Sequence, residues 1–181
     1  MSRLLLPALV AAFALPATAQ DTGLAFGGEV KLEYLDADPG AGFALDGDVG
    51  LTWRSGGILG FDAALDSTYL DDGADFTNVW AALVLATGAG EFAVGAPRPL
   101  SDTQRVMPRF STSRVVDRDP DFLSGQSTSR LSAEDGGMTP GITWKQEAGS
   151  LSFGAGYHHM NDRNVDVAEG FMTYAAGATT F

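Results

Sequence analysis

A strict two-residue alternation over residues 24–34 constrains the fold of this chain more than any other feature. The even-numbered positions there are apolar or glycine, whereas Glu29, Lys31 and Glu33 occupy odd-numbered ones. Successive side chains of a strand point to opposite faces, so this spacing predicts a β-strand with one apolar and one charged face. Two further segments repeat the pattern, at residues 43–54 and 59–69.

Five more segments bring the prediction to eight strands and place the chain in the all-β class. They lie at residues 76–87, 91–96, 142–146, 150–157 and 167–176. The first of them is the least regular, because Trp80, Val84 and Ala86 make its second face apolar as well. We expect that strand to pack against protein on both faces. The 23 glycines and the lack of an ordinary amphipathic helix pattern argue against a packed helical core.

The connections between the predicted strands alternate between short and long. Short glycine-bearing turns are predicted at residues 55–57, 88–90, 147–149 and 177–179, and longer polar loops at 35–40, 71–75, 97–141 and 158–166. Outer-membrane barrels have this sidedness, with short turns on the periplasmic side and longer loops outside. Aromatic residues near both ends of the strands fit the two interfacial girdles of such a barrel. A soluble sandwich or barrel explains the aromatic residues but not the turns.

Residues 1–20 have the layout of a cleavable secretory signal peptide. Arg3 precedes an apolar run, and small residues come just before Gln20. The run is too short for a transmembrane helix and contains two prolines, which disfavours a retained anchor. We therefore expect a mature domain of residues 21–181, exported through the periplasm to the cell outer membrane.

The charge and the cysteine count exclude several classes of partner and site. Without Arg3, the chain has ten Lys and Arg residues and 23 Asp and Glu residues, which gives a formal net charge of −13. Nucleic-acid binding needs a basic surface, so a nucleic-acid partner is excluded. The chain has no cysteine for a disulfide or a thiolate metal site. Asp71, Asp72 and Asp75 offer oxygen ligands to a divalent cation, but an acidic loop tip is ordinarily solvated. We expect no metal and no cofactor.

Taken together, the leader, the alternating strands, the short turns and the long third loop resemble the general bacterial porins. The most similar type is the sixteen-stranded porin of alphaproteobacteria. The most specific segments are residues 24–34, residues 78–83 with the turn to 91–95, and the loop that begins Ala96-Pro97-Arg98. The resemblance implies a transmembrane antiparallel β-barrel, embedded in outer-membrane lipid as a homotrimer. It also implies passive diffusion of small hydrophilic solutes and ions without enzymatic activity, and a third loop, residues 97–141, that folds inward and narrows the pore.

Charged residues on the polar strand faces and in the third loop are the candidates for lining such a pore. Opposing charges in a water-filled lumen select ions by their field and by the width they leave. For each residue, an ordinary solvated surface charge is the alternative. The acidic excess predicts a mild preference for cations. The candidates are Glu29, Lys31, Glu33, Asp46, Asp48, Arg54 and Asp62 on the wall, and Arg98, Arg105, Arg109, Arg114 and Arg118 in the loop.

Two alternatives to a porin remain open at this point. About eight strands are half of the number in the porins, so we expect the first half of a longer barrel. A complete eight-stranded barrel would instead have an interior filled by side chains and a structural or adhesive role. An outer-membrane lipid hydrolase is a more distant alternative that would use His158 or His159. These adjacent histidines follow a predicted strand and point to opposite faces, so we expect ordinary surface positions and predict no catalytic residue.

Overall fold

The computed structural model of the protein describes residues 11–15, 23–37, 40–70, 76–103, 128–176 and 179–180. Eight strands form most of this part: β2 (Gly23–Ala37), β3 (Gly40–Arg54), β4 (Leu59–Leu70), β5 (Phe76–Thr87), β6 (Gly90–Ala96), β7 (Gly141–Ala148), β8 (Leu151–Met160) and β9 (Val165–Ala176). Shorter strands precede and follow them, β1 (Ala11–Leu15) and β10 (Thr179–Thr180). Among the described residues, two short helices lie between β6 and β7, α1 (Leu100–Thr103) and α2 (Thr128–Glu134). None of the helices in the described residues is long and apolar enough to cross a membrane.

All ten strands belong to one sheet in which each strand pairs antiparallel with the next along the chain. The eight predicted strands and the all-β class are therefore confirmed. Within the described residues, β1 and β10 occupy the two edges, so the sheet is open. The register keeps each face continuous from strand to strand, with Leu24 opposite Trp53 and Asp48 opposite Asp66.

The first strand falls within the segment that the sequence predicts to be a cleaved leader. Ala11–Leu15 pairs with residues 28–32 of β2. Removal of this segment would expose unpaired backbone groups along that part of the β2 edge, which another strand would have to satisfy. The leader and its cleavage stay a prediction.

The two faces of the sheet differ in chemistry, and the apolar face is the exposed one. On this outer face Leu24, Phe26, Leu83 and Met172 each expose between 54 and 70% of their surface. The opposite, inner face carries the buried polar side chains of Glu33, Asp46, Thr68, Asn78, Thr143 and His158. This distribution is the reverse of that in a water-soluble β-sandwich, in which the apolar faces pack together.

Strand β5 departs from the expectation that it packs against protein on both faces. Its inner side chains Trp80, Ala82 and Val84 are buried, and α2 packs against this strand. Its outer side chains include Leu83 and Val79, which are exposed. The prediction is therefore right for the inner face and wrong for the outer one. The apolar inner face of β5 is the surface against which the long loop packs.

Aromatic side chains form two separate groups on the outer face. The ring of Trp144 on β7 lies between Phe92 on β6 and Phe153 on β8, with centroid distances of 6.4 and 5.4 Å. The Trp144 indole N–H also donates to the carbonyl of Ala89 in the turn between β5 and β6, at 2.8 Å. At the other end of the sheet, the rings of Phe43 and Tyr69 lie 5.6 Å apart.

Two of the four predicted long loops are wrong. Strands β2 and β3 pair as far as Ala37 and Gly40, and β8 and β9 pair as far as Met160 and Val165. Only residues 38–39 separate β2 from β3, and only the turn 161–164 separates β8 from β9. Polar residues that the sequence assigned to loops continue the strand pairing there. Of the other two, residues 71–75 lie outside the described part. β6 ends at Ala96 and β7 begins at Gly141, so the connection that the sequence places at 97–141 covers residues 97–140, of which 104–127 lie outside the described part.

Candidate pore-lining site

The seven wall candidates all lie on the inner face of β2, β3 and β4. The register places Glu29 opposite Asp48 and Lys31 opposite Asp46, and Lys31 forms an ion pair with Glu29 two residues away. Thr68 donates its hydroxyl to Asp46 at 2.7 Å. The seven are Glu29, Lys31, Glu33, Asp46, Asp48, Arg54 and Asp62.

Arg98 attaches the start of the long loop to β3. Its guanidinium donates two hydrogen bonds to Asp48, from Nη1 to Oδ1 at 3.0 Å and from Nη2 to Oδ2 at 2.7 Å. Nη2 also lies 3.9 Å from Asp66 Oδ2, and Nε lies 3.9 Å from Asp102 Oδ2. Burial lowers the pKa of Arg98, but the hydrogen bonds and charges of the three aspartates outweigh burial and raise this pKa above its ordinary value. One cation therefore holds three carboxylates together.

Glu169 on β9 holds the same loop segment from the other side of the inner face. Its Oε1 accepts the backbone N–H of Leu100 at 2.6 Å, and its Oε2 accepts that of Ser101 at 3.3 Å. These are N-terminal donors of α1, which have no partner inside the helix. Oε2 also accepts the hydroxyl of Thr128, the first residue of α2, at 3.4 Å. The segment 97–103, which we call the crossing segment, thus reaches from β3 and β4 to β9.

His158 completes the contact around Glu169. Its Nε2 lies 3.0 Å from Glu169 Oε1, and its side chain is fully buried. His159 lies on the outer face, where its Nδ1 is 2.8 Å from Asp166 Oδ1. The expectation of an ordinary surface position is therefore wrong for His158, because β8 continues to Met160 and carries this residue inside. Among the described residues, no hydroxyl is hydrogen-bonded to His158.

A row of charges crosses the inner face nearer to the short turns. Arg54 donates to both carboxylate oxygens of Asp62, at 2.5 and 3.1 Å. Its Nη2 lies 3.7 Å from Glu91 Oε2, and Lys145 Nζ lies 2.8 Å from Glu91 Oε1. These four side chains remain between 24 and 46% exposed. Pairs as exposed as these add little stability, so their main effect is on the field that a solute meets.

Between this charged row and the crossing segment, the inner face forms a cavity of about 240 Å³. Residues from β3, β4, β5, β6 and β7 line it, which shows that the sheet curves around this space. Leu100 and Thr103 of α1 cover it from the loop side. The charged residues that line it in the described part of the chain are two acids and two bases, Asp62, Glu91, Arg98 and Lys145.

The end of the long loop is attached to the β8–β9 turn through the carboxylate of Asp135. Asp135 accepts the N–H groups of Asn161, Asp162 and Arg163, at 2.6, 2.6 and 3.2 Å. A carboxylate in such a cluster of donors forms strong, charge-assisted hydrogen bonds. Arg163 also forms an ion pair with Glu134 at 2.5 Å. The last turn of the loop is therefore fixed to the β8–β9 turn.

The returning backbone also fills a gap in the sheet. Strands β6 and β7 are shorter than β5 and β8, so the ends of β5 and β8 have no strand beside them there. The loop supplies the missing partners: the carbonyl of Gly137 accepts the N–H of Val79 at 2.6 Å, and that of Pro140 accepts the N–H of His159 at 2.9 Å. Buried backbone donors are thereby satisfied. We call residues 135–140 the return segment.

The structure thus brings eight of the twelve predicted residues to the inner face or its covering loop. The other four, Arg105, Arg109, Arg114 and Arg118, lie outside the described residues. Sequence reasoning missed Asp66, Glu91, Lys145 and Glu169, which lie on the same face. The alternation itself was the signal that could have found them, since each holds an inner-face position of its strand. Comparison with known proteins adds no relative, because no family model, curated protein or solved structure matches the chain.

Proposed function

We propose that the protein is a porin-type channel of the cell outer membrane, which passes small hydrophilic solutes and ions by passive diffusion. The observation that carries the proposal is the reversed sheet, with an exposed apolar outer face and a polar inner face crossed by a loop segment. Transport of this kind needs no cofactor and no chemical step. The homotrimer implied by the porin resemblance belongs to the same proposal.

The outer face supports a lipid environment on energetic grounds. Monomeric soluble proteins rarely expose a continuous apolar patch larger than a few hundred Å². Leaving a large apolar side chain in water rather than burying it costs roughly 1.5–3 kcal/mol. Exposed leucine, phenylalanine and tyrosine residues recur on the outer face of β2, β3, β4 and β5. Lipid chains remove this cost without a second protein layer.

Backbone hydrogen bonding supports a closed barrel in the working protein. In lipid an open sheet edge leaves N–H and C=O groups unsatisfied, at several kcal/mol each. The described sheet has such edges at β1 and β10. Further strands, either of the same chain or of another copy, must therefore complete the wall.

The crossing segment supports the assignment of the inner face as a lumen. A loop that is held at both sides of a curved sheet narrows the space between them. Here Arg98 is held by Asp48 and the start of α1 by Glu169, so the narrowing is fixed by charged contacts. Partly exposed charges line the space on the side of the short turns.

The test is the current through single channels after the full chain is expressed in a Gram-negative host, extracted from its outer membrane and added to planar bilayers. A porin gives stable open steps that scale with salt concentration and favour cations, because carboxylates outnumber bases among the described residues of the inner face. A well-folded barrel that is resistant to sodium dodecyl sulfate but silent in this assay contradicts the proposal. That outcome favours the filled eight-stranded structural barrel instead.

A further inference from the structure

We propose that the cavity behind the crossing segment is a binding site for a small zwitterionic solute, one with an ammonium and a carboxylate group a few bonds apart. The proposal rests on the channel function, which it deepens by naming a preferred solute class. It makes the protein a channel with a saturable site rather than a simple sieve.

The first argument is the balance of charge around the cavity. Among the described residues, two acids (Asp62 and Glu91) and two bases (Arg98 and Lys145) line the cavity. The site therefore presents both signs of charge close together. A net-neutral solute with separated charges can place each group against the opposite sign.

The second argument is the geometry of the ion pair between Lys145 and Glu91. Lys145 Nζ lies 2.8 Å from Glu91 Oε1, and the two side chains are 46 and 24% exposed. An ammonium carries three donors, and the ion pair with Glu91 uses one of them. Glu91 has further lone pairs, because each carboxylate oxygen can accept two bonds. Both partners can therefore bind a solute group while they keep their own contact.

The third argument concerns size and the uncharged lining. The cavity volume of about 240 Å³ is well above the roughly 10–15 Å³ that a single water molecule needs. A solute as small as β-alanine therefore fits this space. The remaining lining is mostly small, with Ala64, Ala82 and Ala93 on the wall and the hydroxyls of Thr52 and Thr143 beside them. A short carbon chain fits among the alanines while the charged row engages its ends.

Equilibrium binding to the full-length protein, purified in detergent, tests the inference without the need for ion conduction. We would titrate four size-matched probes: β-alanine as the zwitterion, propionate as the anion, propylammonium as the cation and propionamide as the neutral solute. Isothermal titration should show saturable binding of β-alanine and at least tenfold weaker binding of the other three. Equal binding of all four, or none of β-alanine, would overturn the proposal.

Variants of the charged row assign the binding to this cavity. Glu91→Gln and Lys145→Gln should each weaken β-alanine binding roughly tenfold, because each removes one charge-assisted contact. Glu147→Gln is the matched control: it lies two residues from Lys145 on the same face, is exposed and does not line the cavity. Unchanged β-alanine binding in both Glu91→Gln and Lys145→Gln would contradict the assignment of the binding to this cavity.

Conductance separates this inference from the channel proposal. A protein that conducts ions but binds the four probes alike remains a porin without this site. A protein that binds β-alanine as predicted but carries no current retains the site and loses the channel function.

Discussion

The crossing segment and the return segment belong to one loop, yet the return segment has backbone hydrogen bonds to the sheet in addition to its side-chain contacts. The crossing segment depends on charged side chains, since Arg98 pairs with Asp48 and Glu169 accepts the first N–H groups of α1. The return segment also uses a carboxylate, since Asp135 accepts three N–H groups, but it adds backbone hydrogen bonds within the sheet through the carbonyls of Gly137 and Pro140. Contacts between exposed charges weaken in salt, whereas backbone contacts within a sheet do not. The return segment should therefore be the fixed base of the loop and the crossing segment its adjustable part.

The largest expected effect comes from Gly137→Val in the return segment. Gly137 has a φ of +78°, and a Cβ there would overlap the carbonyl oxygen of Thr77. Backbone strain and displacement from β5 together should lower the free energy of unfolding by about 4 kcal/mol, measured by denaturant titration in detergent. Gly136→Ala is the control: its φ is +92° but nothing lies within 4 Å of a Cβ, so the loss should be only about 1 kcal/mol. Equal losses would show that the contact with β5 is not what makes Gly137 necessary.

Asp135→Asn should have the next largest effect, because it removes the charge from an acceptor of three backbone N–H groups. We expect a loss of about 3 kcal/mol in the free energy of unfolding. Asp162→Asn changes an exposed carboxylate in the same turn and should change stability by less than about 0.5 kcal/mol. A loss for Asp135→Asn no larger than that of this control would contradict the account of the return segment.

Glu169→Gln tests the crossing segment at its β9 end. The amide keeps one acceptor oxygen but loses the charge that faces α1 and His158, so we expect a smaller loss of about 2 kcal/mol. Because α1 is then less firmly held, single-channel conductance should rise and its open-channel noise should increase. Glu147→Gln again serves as the control, with neither change. An unaltered conductance in Glu169→Gln would show that this contact does not set the width of the pore.

Arg98→Gln should have the smallest effect on stability, about 1 kcal/mol, since Arg98 and Asp48 are 24 and 41% exposed. The same substitution should nevertheless increase cation selectivity, because it leaves Asp48, Asp66 and Asp102 without their shared cation. Reversal potentials in a salt gradient measure that change. A shift toward anions would contradict the placement of these carboxylates along the permeation path.

The sequence predicted the wall well because its signal is local. Alternation in residues 24–34 reports directly which side chains share a face, and the register of β2 with β3 preserves that order. It also identified the polar face and therefore the wall candidates. The prediction failed where polar residues continued a ladder, as at β8, since polarity alone does not distinguish a loop from the end of a strand. For that reason His158 was expected at the surface and is buried.

The contacts of the long loop could not be predicted from the sequence, for a different reason. Arg98 and Asp48 are fifty residues apart, and Leu100 and Glu169 are sixty-nine apart. No periodic pattern relates such positions, because the pairing depends on how far the sheet curves and where β6 ends. The close approach of Gly137 to β5 could not be predicted either, because nothing in the sequence distinguishes this glycine from the other 22.

The claim on which the account depends is that the outer face meets lipid and the inner face meets water. The chain has no native cysteine, so single substitutions can report on each face. We would place Leu83→Cys on the outer face and Thr52→Cys on the inner face, in protein inserted into outer membranes, and add a water-soluble maleimide. The account predicts rapid labelling at position 52 and none at position 83, although Leu83 is 65% exposed on the isolated chain. Rapid labelling at position 83 would contradict it and would make the apolar face a surface in contact with water.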